Sequence, residues 1–162
     1  MSMNAGRQRP QAMTEQRVAL PHEFTALADL DSRTNPGPWS AARFQRICAA
    51  TAQDTALVAV LAGEIAGFLV YSCILDEATV QRVGVEPTLR GRGIGGSLLD
   101  AACARVRDGG ARRCLLEVRA SNHVAIGLYE SRGFARDGVR KGYYQGAEGL
   151  EDALLMSRSL VA

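Results

Sequence analysis

The hydrophobic pattern changes period at Pro87, and that change limits what the chain can fold into. Before it, Ala78 to Val85 reads as an extended, largely apolar segment. After it, Ile94, Leu98, Ala101, Ala102 and Val106 recur at three- and four-residue intervals, which predicts an amphipathic helix from Gly93 to Asp108. Between the two runs Val83-Gly84-Val85-Glu86-Pro87-Thr88-Leu89-Arg90-Gly91-Arg92-Gly93-Ile94-Gly95-Gly96-Ser97, a strand that turns through glycines and arginines directly into a helix. Helix starts leave backbone N–H groups unpaired and carry partial positive charge. Glycines there let an anion such as a pyrophosphate come close, and Arg90 and Arg92 can add charge-assisted hydrogen bonds. The alternative is a tight strand-to-helix connection with nothing bound. The segment has no lysine, so it is not a GxxxxGK[ST] phosphate loop. Its GxGxxG letters follow a hairpin and a further strand instead of opening the first βα unit, and Glu117 lies inside the next strand, so dinucleotide binding loses.

The rest of the chain supports a mixed sheet covered by helices. Pro21 to Ser32 reads as a helix with Phe24, Leu27 and Leu30 on one face, ended by Asn35-Pro36-Gly37-Pro38. Ser40 is an N-cap for a second helix through Ala41, Phe44, Ile47 and Cys48. Thr55 to Leu61 and Ile65 to Leu75 are apolar runs split by Ala62-Gly63-Glu64, a hairpin signal. Cys114 to Val118 is a strand interrupted by one carboxylate, Glu117. Ser121 or Asn122 then caps a helix carrying Ala125, Ile126, Leu128 and Tyr129, closed by Gly133. Two final strands are expected near Ala135 to Tyr143 and Ala153 to Leu160. This order implies an α/β (α+β mixed) domain over 17–162, preceded by a loose polar tail over 1–16.

Composition excludes several classes. At 162 residues the chain holds one domain, and its 47% hydrophobic content supports a real core. A net charge of +2 gives no argument for nucleic acid or an anionic membrane. No run approaches the about 18 to 20 apolar residues of a bilayer span, and the N-terminal segment has no apolar stretch of a secretory signal. Cys48, Cys73, Cys103 and Cys114 are scattered without metal-ligand spacing, which reads as reduced thiols in a cytoplasmic protein without metal.

Arg90-x-x-Gly93-x-Gly95, leaving a strand and opening a helix, resembles the acetyl-CoA signature of the GNAT acetyltransferase superfamily. Leu75-Asp76-Glu77-Ala78-Thr79, Leu116-Glu117-Val118-Arg119-Ala120-Ser121-Asn122, Leu128-Tyr129-Glu130-Ser131-x-Gly133-Phe134, Tyr143-Tyr144 and Glu151-Asp152-Ala153-x-x-Met156, with Pro38-Trp39-Ser40 ahead of them, resemble its ribosomal-protein-alanine N-acetyltransferase branch. The resemblance runs in order from Pro38 to Met156. It implies a GNAT-like, mixed and splayed central sheet flanked by helices, with acetyl-CoA as cosubstrate. It implies that backbone groups of Val83, Gly84 and Val85 hold the pantetheine arm and polarise the thioester. Gly91 through Ser97 (Gly91, Arg92, Gly93, Ile94, Gly95, Gly96 and Ser97), with Arg90, would take the pyrophosphate, and Asn122 would bind from the other side. The implied acceptor is the N-terminal alanine of a small-subunit ribosomal protein, with a monomer or weak homodimer as the working unit. The runner-up is another GNAT activity on other protein N-termini, lysines or a small-molecule amine.

Chemistry narrows the catalytic candidates. An α-amine with a pKa of about 8 is about a tenth neutral at pH 7, so freeing it costs roughly 1 to 1.5 kcal/mol, against about 4.6 kcal/mol for lysine. One modest base suffices. Glu117 is the candidate, because burial in an apolar strand strengthens a carboxylate as a base, and the resemblance places the proton acceptor there. Tyr129 falls where the family has the proton donor to the leaving sulfur. The plain alternatives are a carboxylate facing solvent and a tyrosine at the core's edge. Trp39, Tyr143 and Tyr144 suit a peptide groove or sheet packing equally. Arg105, Arg107, Arg112 and Arg113 suit the cofactor's 3′-phosphate or a solvated helix end.

Overall fold

The computed structural model describes residues 13–50 and 53–162. Strand β1 spans Glu15–Val18, helix α1 Phe24–Thr34 and helix α2 Ala41–Cys48. Strands β2 (Asp54–Leu61), β3 (Glu64–Ile74) and β4 (Glu77–Val85) follow, then α3 (Ile94–Asp108), β5 (Arg113–Arg119), α4 (His123–Ser131), β6 (Ala135–Gly146) and β7 (Gly149–Ser159). The seven strands form one sheet in the order β1-β2-β3-β4-β5-β7-β6, antiparallel throughout except where β4 meets β5.

Two expectations change. Among the described residues the first regular element is β1, not a helix, and it lies partly inside the segment expected to be a tail; residues 1–12 of that segment lie outside the described residues. Pro21–Glu23 forms a 3₁₀ turn before α1, which runs two residues past Ser32. The remaining elements fall within a few residues of their predicted bounds. Ser40 caps α2 by accepting from the Arg43 N–H, and Asn122, not Ser121, caps α4 by accepting from the Ala125 N–H.

Helices cover the two sheet faces unequally. Helices α1 and α2 bury Leu27, Leu30, Phe44 and Ile47 against Val58, Phe68 and Val70 on one face. Helices α3 and α4 bury Ile94, Leu98, Leu99 and Ile126 against Leu57, Leu69, Leu116 and Val118 on the other. Strands β2 and β3 are covered on both faces, which is why they read as unbroken apolar runs. Strand β5 alternates instead, with Cys114, Leu116 and Val118 buried and Leu115, Glu117 and Arg119 partly open. Glu117 therefore sits on the face opposite α3 and α4, where α1 and α2 do not reach.

The sheet opens between β4 and β5. Their ladder holds only from Glu77↔Arg113 to Val80↔Leu116. At the next residue β4 carries a bulge: Tyr71 pairs with Val80 and Val70 with Arg82, leaving Gln81 as an additional residue. Bulges bend their strand and end pairing. Gln81 anchors the bend by donating to Asp54 Oδ1 and Ser72 Oγ, both at 3.0 Å. Beyond it β4 follows β3, while β5 follows β7 as far as Arg119↔Ala153. The two strands part and leave a gap that passes through the sheet.

Candidate active site

The gap is the mouth of a cleft of about 730 Å³. Its walls are Val80 to Val85 of β4, Leu116 to Arg119 of β5, the α3 start, and Asn122, Val124, Ala125, Leu128 and Tyr129 of α4, with Thr34, Asn35, Pro36 and Tyr144 at its sides. Val83, Gly84, Val85, Arg90, Gly91, Gly93, Ile94, Gly95, Gly96, Glu117, Asn122, Tyr129 and Tyr144 are thus brought together on one cavity. Arg92, Ser97, Trp39 and Tyr143 are not part of its lining.

Strand parity decides what β4 offers. The Glu86 N–H donates to Ala66 O at 2.8 Å, so Glu86 and Gly84 turn their backbone groups toward β3. Val83 and Val85, in the opposite phase, turn theirs to the gap, and Asn35 Nδ2 reaches Val83 O there at 3.0 Å. Gly84 has a different reason to be glycine. A Cβ on it would lie 2.6 Å from the Phe68 ring and 2.8 Å from Thr34 Oγ1.

The glycines after β4 also divide by cause. Gly91 and Gly93 have φ of +78° and +81°, the left-handed region that glycine enters without cost. Gly95 and Gly96 sit in close packing: a Cβ on Gly95 would press on Leu128 at 3.1 Å, and one on Gly96 would displace the Arg132 guanidinium, the far end of a flexible side chain. The α3 backbone ladder begins with Ser97 N–H to Gly93 O at 3.0 Å. The N–H groups of Ile94, Gly95 and Gly96 therefore have no intrahelical acceptor, whereas that of Ser97 is spent. Arg105 and Arg107 lie in the last turn of α3, about 20 Å from this start at 1.5 Å per residue, and Arg113 pairs with Asp137 at 3.3 Å. None of these arginines lines the cleft.

Glu117 and Tyr129 approach the gap from opposite faces. Glu117 is half-buried, its side chain 30% exposed, and Arg140 from β6 pairs with its Oε1 at 3.1 Å. Glu117 is more open than the sequence suggested, since among the described residues no helix packs on that side of β5. Tyr129 is buried, and burial, with a smaller contribution from Tyr144, pushes its phenol up to about 12, so it remains a loaded proton donor at neutral pH. Tyr144 is also raised, first by burial and then by the Glu117 charge. Its ring stands edge-on to Tyr143 at 5.0 Å, with the Arg119 guanidinium 4.5 Å above it. Trp39 packs on Phe44 at 5.7 Å, under Arg43 at 3.5 Å.

Sequence reasoning missed Asp31, Arg82 and Asn35. Asp31 is fully buried, and Arg82 grips both its oxygens, at 2.8 and 3.0 Å. Asn35 Nδ2 and the Trp39 N–H, each at 2.8 Å, complete its shell. The signal was present: Asp31 is four residues after Leu27 and shares its buried stripe. Among the described residues no three His, Cys, Asp or Glu side chains gather where they could hold a metal ion, and no helix is long and apolar enough to cross a membrane.

Known proteins resemble this chain in sequence and fold. The ribosomal protein bS18-alanine N-acetyltransferase of Escherichia coli K12 is 40% identical over 95 residues, 59% of this chain and 64% of the relative's length. Its Haemophilus influenzae namesake is 30% identical over 136 residues, 83% of this chain and 91% of the relative. The crystal structure of the Escherichia coli ribosomal-protein-S18-alanine N-acetyltransferase superposes with a TM-score of 0.83 at 30% identity, covering 93% of this chain and 96% of that one. Arabidopsis thaliana NAA60, solved in complex with acetyl-CoA, shares the fold at a TM-score of 0.82 and 20% identity, over 91% of this chain and 98% of that one. The model of the Acetyltransferase (GNAT) family matches residues 24–134, more than half of the sequence, and this chain belongs to that family.

Proposed function

We propose that the protein transfers an acetyl group from acetyl-CoA to the N-terminal amine of a protein, the acceptor being the alanine at the start of a small-subunit ribosomal protein. The observation that carries this reading is the through-sheet gap, with Glu117 on one face, buried Tyr129 on the other, and the β4 edge between them. The relatives' names supply the acceptor.

The unpaired N–H groups of Ile94, Gly95 and Gly96 suit a diphosphate, and Arg90 sits beside them at the cleft. The Val83 and Val85 edge then suits the extended amide arm, which can pair with it as a short strand would. A Val83 or Val85 N–H is already oriented for the negative charge that develops on the thioester oxygen. Asn122 spends Oδ1 on the α4 cap and keeps Nδ2 as a donor at the opposite side.

In the chemical step the neutral acceptor amine attacks the thioester carbon, and Glu117 takes the proton that the nitrogen sheds as the new bond forms. The carbon–sulfur bond breaks, and the departing thiolate takes the Tyr129 phenolic proton. Products are the N-acetyl amide and free coenzyme A, with Glu117 protonated and Tyr129 ionised until solvent resets both. Tyr144 forms the wall for the acceptor backbone, with Tyr143 packed edge-on behind it, while Trp39 in the α1–α2 loop stays outside the cleft lining.

The test is acetyl transfer to a peptide with the alanine-initiated ribosomal sequence, beside peptides with internal lysine, other N-termini and small amines. The alanine peptide is expected to have the largest kcat/KM. Preference for lysine or a small amine, with the alanine peptide untouched, sinks the acceptor assignment. Glu117→Gln is expected to lower kcat about 10²-fold, and a near-normal rate in that variant removes Glu117 as the base.

A further inference from the structure

The ion pair on Glu117 has no role in the scheme above. We propose that Arg140 is the positioning residue of the general base: its guanidinium, fixed on Glu117 Oε1, aims the carboxylate across the gap and leaves Oε2 for the acceptor's proton. This rests on Glu117 being the proton acceptor.

Glu117 projects from a sheet face that no helix covers, and a free glutamate there would sample several rotamers. Register explains which side chain restrains it. Across β7, Glu117 is in line with Leu155 and then Gly138, which has no side chain to offer. The next residue on the same face of β6 is Arg140, in line with Ala153 and Arg119. The other strand cations on this face are already committed: Arg119 to Gln145 O at 2.9 Å and Glu151 at 3.4 Å, Arg113 to Asp137 at 3.3 Å and Arg82 to Asp31 at 2.8 Å.

Arg140 is itself braced. Its guanidinium lies 4.7 Å from the Tyr143 ring centre. Immediately after it β6 bulges, since Arg140 pairs with Ala153 but Tyr144 with Glu151. Asp152 clips that bulge by accepting from the Gly142 N–H at 2.9 Å and from Lys141 Nζ at 3.2 Å. The pair itself is open to water, with side chains 51% and 30% exposed. Such pairs contribute little to stability, so the consequence of this one is geometric. A general base loses rate steeply when misplaced, about 10²-fold for 1 Å at the extreme.

A double-mutant cycle tests the proposal. Arg140→Met keeps the stem on Tyr143 and removes the charge, Arg140→Lys keeps a charge, and each is made in the natural and the Glu117→Gln backgrounds. With Glu117 present, Arg140→Met is expected to lower kcat about tenfold without changing KM for acetyl-CoA, and Arg140→Lys to recover most of it. With Glu117→Gln, Arg140→Met is expected to cost nothing further, because residues acting as one unit are non-additive. An equal loss in both backgrounds overturns the proposal, as does a raised acceptor KM at unchanged kcat, which would make Arg140 a substrate-binding residue. An unaltered rate in Arg140→Met overturns it too. These outcomes leave the base assignment standing, whereas a near-normal rate in Glu117→Gln alone removes both.

Discussion

Strands β4 and β5 face each other across the gap, yet they are held by different means. The β4 side is tied to α1 and the loop after it by an ion pair largely removed from water: Asp31 is 0% and Arg82 17% exposed, and Arg82 also donates to Gly37 O at 3.1 Å. The β5 side is tied to β6 and β7 by Glu117–Arg140 and Arg119–Glu151, all of which solvent reaches. Charges taken out of water are costly to separate, while exposed pairs contribute little to stability and act chiefly by setting geometry. The contrast matches the tasks proposed for the two walls. The wall that orients a thioester gains from a tie that resists opening, and the wall that admits an acceptor gains from pairs that aim side chains while leaving the face open to solvent.

The contrast is broken most directly at Asp31. Asp31→Ala leaves the largely buried Arg82 guanidinium unpaired and releases Asn35 and the Trp39 N–H. The expected loss is about 3 to 5 kcal/mol of unfolding free energy, read by urea denaturation. A loss under about 1 kcal/mol, the range of surface pairs, would put the two walls on the same footing.

A smaller effect belongs to Tyr129, buried behind the β5 wall. Its phenol is pushed up to about 12 by burial first and Tyr144 second, whereas a tyrosine in the unfolded chain ionises near about 10. Below about pH 10 both states keep the proton and the stability is intact. As pH rises from about 10 toward 12 the unfolded chain ionises first, and the folded state loses up to about 1.4 kcal/mol per pH unit. Tyr129→Phe cannot titrate, so urea midpoints of the two proteins are expected to diverge between about pH 9 and pH 11, the natural protein falling faster. Parallel curves would mean that Tyr129 is better solvated than its burial indicates, and that the β5 side is open from both faces.

What the sequence made legible follows the same division. Helices α2 and α3 and the β2–β3 hairpin were readable because their signals are local: the Ser40 cap, a three- and four-residue apolar period, and Gly63 at φ +81°. Strand β1 was not, since Glu15-Gln16-Arg17-Val18 has no apolar alternation and is ordered by a β2 partner some 40 residues away. The splay was expected through resemblance, but its cause, the additional residue Gln81, depends on how two strands register and cannot be read along one of them. Glu117 was identified by an isolated carboxylate in an apolar strand. The depth of its burial was misjudged because the α1–α2 layer on that face does not extend to β5. Asp31 stood within a visible stripe but is a buried acid only because Arg82, 51 residues later, reaches it. Arg140 was hidden by the β6 bulge, which shifts the spacing by which it meets Glu117.

The smallest effect sharpens the contrast from the exposed side. Glu151 of β7 accepts from the Ser121 N–H at 2.8 Å and contacts Arg119 at 3.4 Å, so it ties the turn that starts α4 to the strands beneath it. The Ser121 hydrogen bonds, ahead of the Arg119 charge, hold its carboxyl below the usual range. Its contribution is therefore present above the ordinary carboxylate range and is lost as pH falls through the lowered value. Glu151→Gln keeps an oxygen for Ser121 but gives up the charge opposite Arg119, which underlies Tyr144. The expected result is a melting temperature close to the natural protein at pH 7 and a few-fold lower kcat/KM for the acceptor. The difference should shrink at high ionic strength, where exposed pairs are screened in both proteins. Destabilisation as large as that of Asp31→Ala would show that the β5 pairs are as costly to break as the buried β4 pair, and the division of labour between the walls would fail.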